Sequence, residues 1–137
     1  MSDKLRNRFE KILQLLEQLV MEAAKDTLIV VEGQNDIEAL KELKVKGNII
    51  SVKTAGKSFL DILMEIEEQN ISQVILLLDF DRRGREWAKR LKQSLEEKRI
   101  KVNINFWNKL HALAGRNIKD VEGLPAYLET LRKRIGN

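Results

Sequence analysis

The sequence has no cysteine, which excludes both a disulfide framework and a Cys-ligated zinc site. No apolar run approaches the ~20 residues that a membrane-spanning helix needs, and the opening MSDKLRNRFE has no apolar stretch of the kind that marks a secretory signal. A cytoplasmic location is therefore expected. Histidine is nearly absent: His111 stands alone in HALAG, where a packing or helix-surface role outweighs a catalytic one. Internal repeats, low-complexity tracts and linkers are also missing, so the 137 residues read as one domain.

The composition is that of a folded globular protein, with 43% hydrophobic and 34% charged residues. The net charge of +4 is unevenly spread. Residues 1–81 carry 10 Lys/Arg against 15 Asp/Glu, and residues 82–137 carry 15 against 6. The chain is acidic up to Asp81 and strongly basic after it. A basic half suits an anionic partner, of which a polyphosphate backbone is the commonest, although Lys and Arg also simply solvate helix faces.

Leu5, Phe9, Ile12, Leu13, Leu16, Leu19 and Val20 recur every three or four residues, which predicts an amphipathic helix over 3–24. Its apolar seam could pack on the domain or on a partner subunit. The runs TLIVV (27–31), NIISV (48–52) and VILLL (74–78) read as strands, and IKVNINFW (100–107) as a fourth. Between them lie helical patterns, one beginning near Asn35 or Asp36 as a cap, one over 58–69 and a basic one over 82–98. The tail from 108 holds one or two short helices. Strands alternating with helices of about a dozen residues give βαβ units, so the expected fold is α/β. It is a Rossmann-like parallel sheet of about four strands flanked by helices, with an N-terminal helix (1–25), a core (26–107) and a helical tail (108–137).

In such sheets function collects beyond the carboxyl ends of the strands. Glu32, the loop 54–58, Asp79 and Asp81 all fall there. Asp79 and Asp81 are two residues apart, so extended backbone would aim both side chains one way, about 7 Å apart. With Glu32 on a neighbouring strand, three carboxylates converge. Two such charges ~5 Å apart repel by about 3 kcal/mol at an effective dielectric near 20. A hard divalent cation removes that repulsion, and oxygen-only ligands suit Mg²⁺, with Mn²⁺ as the alternative. A capping role for the pair at the start of the basic helix explains one aspartate better than two. Gly33 and Gly84 would let the backbone turn tightly beside the acids.

VVEGQNDIEAL (30–40) and LLLDFDRRG (76–84) together resemble the Toprim domain, shared by topoisomerases, bacterial-type primases, OLD-type nucleases and the RNase M5 maturase. The pattern is a strand ending in Glu-Gly-x-x-Asp, then a later strand ending in Asp-x-Asp-x-x-Gly. Glu32, Gly33, Asp36, Asp79, Asp81 and Gly84 match it, and the resemblance spans about 26–107. It implies metal-dependent phosphoryl transfer on RNA or DNA. Asp79 and Asp81 would hold Mg²⁺, and Glu32 would act as general acid or base or as a further ligand. Arg82, Arg83 and Arg85 would meet phosphate oxygens.

The resemblance leaves two classes open: a small nuclease or nucleotidyl-transfer enzyme, or a metal- and phosphate-binding module that acts with a partner protein. Topoisomerase members need a nucleophilic tyrosine outside the unit, and the one tyrosine, Tyr127, reads as a packing residue. A phosphatase D-x-D motif and a receiver-type phosphoacceptor fit the acids less well. TAGKS (54–58) lacks the first glycine of a P-loop, yet Gly56 suits a turn and Lys57 could touch a phosphate. Trp87 and Trp107 read as core residues. Asp120 and Glu122 are acidic in a basic region, and their role is left open.

Overall fold

A computed structural model describes residues 2–53 and 56–136, the side chain of Ser2 excepted. Thr54 and Ala55, in the loop after the second strand, lie outside the described residues. The element order is α1 (Ser2–Ala23), β1 (Thr27–Val31), α2 (Gln34–Glu42), β2 (Asn48–Ser51), α3 (Phe59–Glu68), β3 (Gln73–Leu77), α4 (Arg82–Glu97), β4 (Lys101–Asn103), α5 (Asn105–Ala114), a 3-10 turn (Val121–Gly123) and α6 (Leu124–Gly136). The four strands form one parallel sheet in the order β2-β1-β3-β4.

Because successive strand side chains point to opposite faces, β1 and β3 divide their aliphatics between two cores. Ile29, Val31, Ile75 and Leu77 face the layer made by α1, α2, α5 and α6, with Ile12, Leu19, Leu40, Leu110, Leu124 and Leu128. Leu28, Val30, Val74, Leu76 and Leu78 face α3 and α4, against Ile62, Ile66, Leu91 and Leu95. Both central strands are buried at every position. This is why they read as unbroken apolar runs rather than as alternation. The N-terminal helix belongs to the domain, since Ile12, Leu15, Leu16 and Leu19 are buried in its core.

The fourth strand is shorter than its sequence suggests. It ends at Asn103, whose Oδ1 accepts the Asn105 N–H at 2.8 Å and starts α5. Trp107 is therefore a helical residue, and its indole N–H donates to the Leu78 carbonyl at 2.7 Å. A residue type that favours strands was recruited here to anchor a helix over the end of β3. Among the described residues, no helix is long and apolar enough to cross a membrane.

Candidate functional site

The carboxyl ends of β1 and β3 lie side by side, with Val31 paired to Leu77. The chain leaving each strand carries acids onto one rim. Glu32 follows β1 directly and is buried, with 3% of its surface exposed. Its Oε2 has no hydrogen-bond partner. Four residues on, Asp36 sits in the first turn of α2 and is also buried. Gly33, not Asn35 or Asp36, occupies the N-cap position of that helix. Asp36 caps it from inside: Oδ2 accepts the Gly33 N–H at 3.0 Å, and Oδ1 accepts the Glu122 N–H at 2.8 Å. The second bond reaches 86 residues along the chain and ties the 3-10 turn to the rim.

Asp79 and Asp81 do not project together from an extended strand, because β3 closes at Leu77. Asp81 is the N-cap of α4, and its Oδ1 accepts the Gly84 N–H at 2.7 Å. Asp79 stays on the rim, half-buried. Gly84 serves close packing rather than a turn. A Cβ there would stand 2.1 Å from the Asp79 carbonyl oxygen, so the missing side chain lets the first turn of α4 close over Asp79. Gly33 has ordinary extended backbone, with φ −144°. Gly56, at φ +80°, does require the left-handed region that glycine tolerates.

Around Asp79 the charges collect. One oxygen from each of Asp36, Asp79 and Asp120 lies within 4.8 Å of the others, the group of three such acids found among the described residues. Asp120 arrives from the far end of the chain as the N-cap of the 3-10 turn, its Oδ1 accepting the Gly123 N–H at 3.0 Å. Burial, then the charges of Glu32, Asp36, Asp120 and Asp81, push the Asp79 carboxyl up to about 7. Burial raises Glu32 as well, against the pull of Lys53 and Arg83, and burial raises Asp36. Charging all of these groups at once is unfavourable without a compensating cation.

The acids line a cleft of ≈ 740 Å³ that also takes in Lys53, Lys119 and Gly123. Its donors are carboxylate oxygens, among them a buried one with no partner, so a hard divalent cation such as Mg²⁺ or Mn²⁺ fits.

The cations expected from sequence divide. Arg83 is near enough to lower the Glu32 carboxyl. Arg82 is exposed and pairs with Glu86 at 3.2 Å, and Arg85 is exposed on α4. Lys57 is turned away into an ion pair with Glu65 at 2.8 Å. Lys53 and Lys119 were not singled out in the sequence. Lys53 could have been found by the strand-end rule, since it lies two residues beyond the end of β2 and its N–H donates to the Glu32 carbonyl at 2.8 Å. Lys119 and Asp120 had no such signal. They reach the site because the Phe80 N–H donates to the Lys119 carbonyl at 2.8 Å. His111 packs its ring against Phe80, centroids 5.0 Å apart, and Tyr127 bonds Arg8 and Asn117.

The family model of the Toprim domain matches residues 27–107. The UPF0292 protein MJ1624 of Methanocaldococcus jannaschii is 37% identical over 120 residues, which cover 88% of this chain and 91% of that protein. A UPF0292 protein of Methanosarcina acetivorans is 33% identical over 96% of this chain and 89% of its own length. A solved structure of a protein from Aquifex aeolicus superposes with a TM-score of 0.65 at 29% identity, covering 80% of this chain and 94% of that one. Toprim domains bind divalent metals in functions related to nucleic acids, and the matched span contains Glu32, Asp36, Asp79 and Asp81. By motif, fold and relatives alike, the chain belongs to the Toprim domain family and is grouped there with the UPF0292 proteins.

Proposed function

We propose that the protein catalyses Mg²⁺- or Mn²⁺-dependent phosphoryl transfer on nucleic acid, as a nuclease or a nucleotidyl-transfer enzyme. The observation that carries this reading is the collection of acids around Asp79, with the buried, unpartnered Glu32 oxygen beside them. Asp36 and Asp79 are shared by the family motif and the observed acidic group. Asp81 and Glu32 line the same cleft and complete the motif.

A divalent cation bound there neutralises charge on the reacting phosphate and aligns the displacement. The chain's own groups do the rest. Burial holds Glu32 against deprotonation, which suits a group that takes up and releases a proton. Lys53 and Lys119 line the cleft and Arg83 stands near Glu32, positions from which they can bind phosphate oxygens. The exposed Arg82, Arg85, Lys89 and Arg90 on α4 extend a basic surface away from it. A polyanion following that helix would meet the acids at one end of its path, and its binding would weaken steeply with salt.

The test is a Mg²⁺ titration against single- and double-stranded RNA and DNA, wild type beside the Asp79→Asn/Asp81→Asn double variant. Product that needs the metal and vanishes in the variant is the expected result and names the substrate class. Salt-sensitive binding without product would replace the enzyme with a metal- and phosphate-binding module whose partner protein supplies the chemistry.

A further inference from the structure

The segment after the matched family span folds back onto the cleft and is held there at three points. The Phe80 N–H donates to the Lys119 carbonyl, the Glu122 N–H to Asp36 Oδ1, and Asn35 Nδ2 to Glu122 Oε1 at 3.2 Å. These bonds grip both the chain leaving β3 and the first turn of α2. Between them stands Asp120, with one oxygen spent on the Gly123 N–H. It contributes an oxygen to the group in which Asp36, Asp79 and Asp120 approach within 4.8 Å.

Acidic residues often meet without holding anything. The second observation is Glu32, which lines this cleft, is 3% exposed and leaves Oε2 with no partner. A buried polar atom in that state is destabilising unless something else completes it. All the neighbouring carboxylates are acceptors, so the missing partner is a proton or a cation. Each oxygen of Asp36 accepts one backbone N–H and keeps a second lone pair.

We infer that the divalent cation of this cleft is held by Asp36, Asp79 and Asp120, with Glu32 adjoining them. A carboxylate from outside the Toprim match thereby completes the metal site. This rests on the reading that the cleft binds a divalent cation, and adds which residues do so. Asp81 is the secondary acid here, since it caps α4 and stands outside the group of three. Docking of residues 119–122 becomes a condition of tight metal binding.

The experiment is Mn²⁺ binding to the full-length chain, followed by the EPR signal of free Mn²⁺, for wild type, Asp79→Asn, Asp81→Asn and Asp120→Asn. Asparagine caps a helix about as well as aspartate, so Asp120→Asn keeps the bond to Gly123 and loses the charge. A thermal melt without metal checks that it folds. Asp120→Ser, which also caps, repeats the test if the first variant is unstable.

Asp120→Asn is expected to weaken Mn²⁺ binding by at least about 10-fold, the scale of disturbing groups around a metal site. It should weaken binding more than Asp81→Asn, and Asp79→Asn should abolish it. Wild-type affinity in Asp120→Asn, with binding lost in Asp79→Asn, would make Asp120 a cap only and leave the proposed function standing. Failure of the wild type to bind Mn²⁺ at millimolar concentration would overturn both.

Discussion

Glu22 and Glu32 stand at opposite ends of the first strand, and their surroundings are reversed. Glu22 accepts hydrogen bonds from Lys25 Nζ at 2.6 Å and from Gln73 Nε2 at 3.2 Å, which hold its carboxyl below the usual range. Gln73 also donates to Thr27 Oγ1 at 3.2 Å and accepts from Asn103 Nδ2 at 3.3 Å. At the amino end of the sheet, then, the buried Thr27 and Gln73 and the half-buried Glu22 and Asn103 satisfy one another. At the carboxyl end, Glu32 has an unpartnered oxygen and Asp79 is surrounded by like charge. A fold that pairs its polar groups at one edge and crowds carboxylates at the other has put stability and function in different places.

Asp79→Asn should break the contrast most severely. If the cleft performs metal-dependent transfer, losing this acid should lower the rate by at least about 10³-fold, or ~4 kcal/mol of transition-state stabilisation. Single-turnover assays at saturating Mg²⁺ measure this. A loss under tenfold would remove Asp79 from the centre of the chemistry.

Gly84→Ala attacks the rim through packing. The new methyl group would lie 2.1 Å from the Asp79 carbonyl oxygen and 2.8 Å from its carbon, so α4 must move away. A destabilisation of about 2–3 kcal/mol in urea unfolding is expected, together with weaker metal binding. Unchanged stability would mean that α4 shifts freely, contrary to the close contact it makes here.

The two edges were unequally legible in the sequence. The sheet was readable because burial on both faces imposes continuous aliphatic runs, and Glu32, Asp79 and Asp81 could be placed at strand tips by that logic. What the runs do not encode is where a strand yields to a helix. Asn103 ends β4 with a side-chain bond, and Asp81 turns its carboxylate into a cap. Nor does local pattern show that Asp120 reaches Asp36 and Asp79, because that approach depends on bonds between residues 86 and 39 positions apart in the chain. The ion pair that Lys57 makes with Glu65, in the helix that follows it, was not read from the sequence either.

The amino edge offers the converse test. Gln73→Ala removes the bonds to Glu22, Thr27 and Asn103 and should lower stability by about 1–2 kcal/mol. Metal-induced stabilisation should be unchanged, because nothing in that network touches the cleft. If the metal response falls along with stability, the two edges are coupled and the division of labour fails.

The smallest effect separates the edges by pH. In the metal-free protein, burial and the charges of Glu32, Asp36, Asp120 and Asp81 raise Asp79 from 3.8 to about 7, while Lys53, Lys119 and Arg83 stand nearby as the opposing cations. The folded state therefore binds a proton more tightly than the unfolded one. That contribution is fully present below pH 3.8, is lost progressively as pH rises, and is gone above about pH 7. Glu32 and Asp36 shift in the same direction. After allowance for solvent screening at a half-exposed rim, the chelated protein should lose about 1 kcal/mol between pH 5 and pH 8. Glu22, whose carboxyl is lowered, acts oppositely: its contribution is present at neutral pH and disappears only as pH falls through its folded value. Asp79→Asn should flatten the loss between pH 5 and 8 and make the metal-free protein more stable than wild type at pH 8. A divalent cation should stabilise the wild type more at pH 8 than at pH 5, because at low pH the proton already relieves the same repulsion.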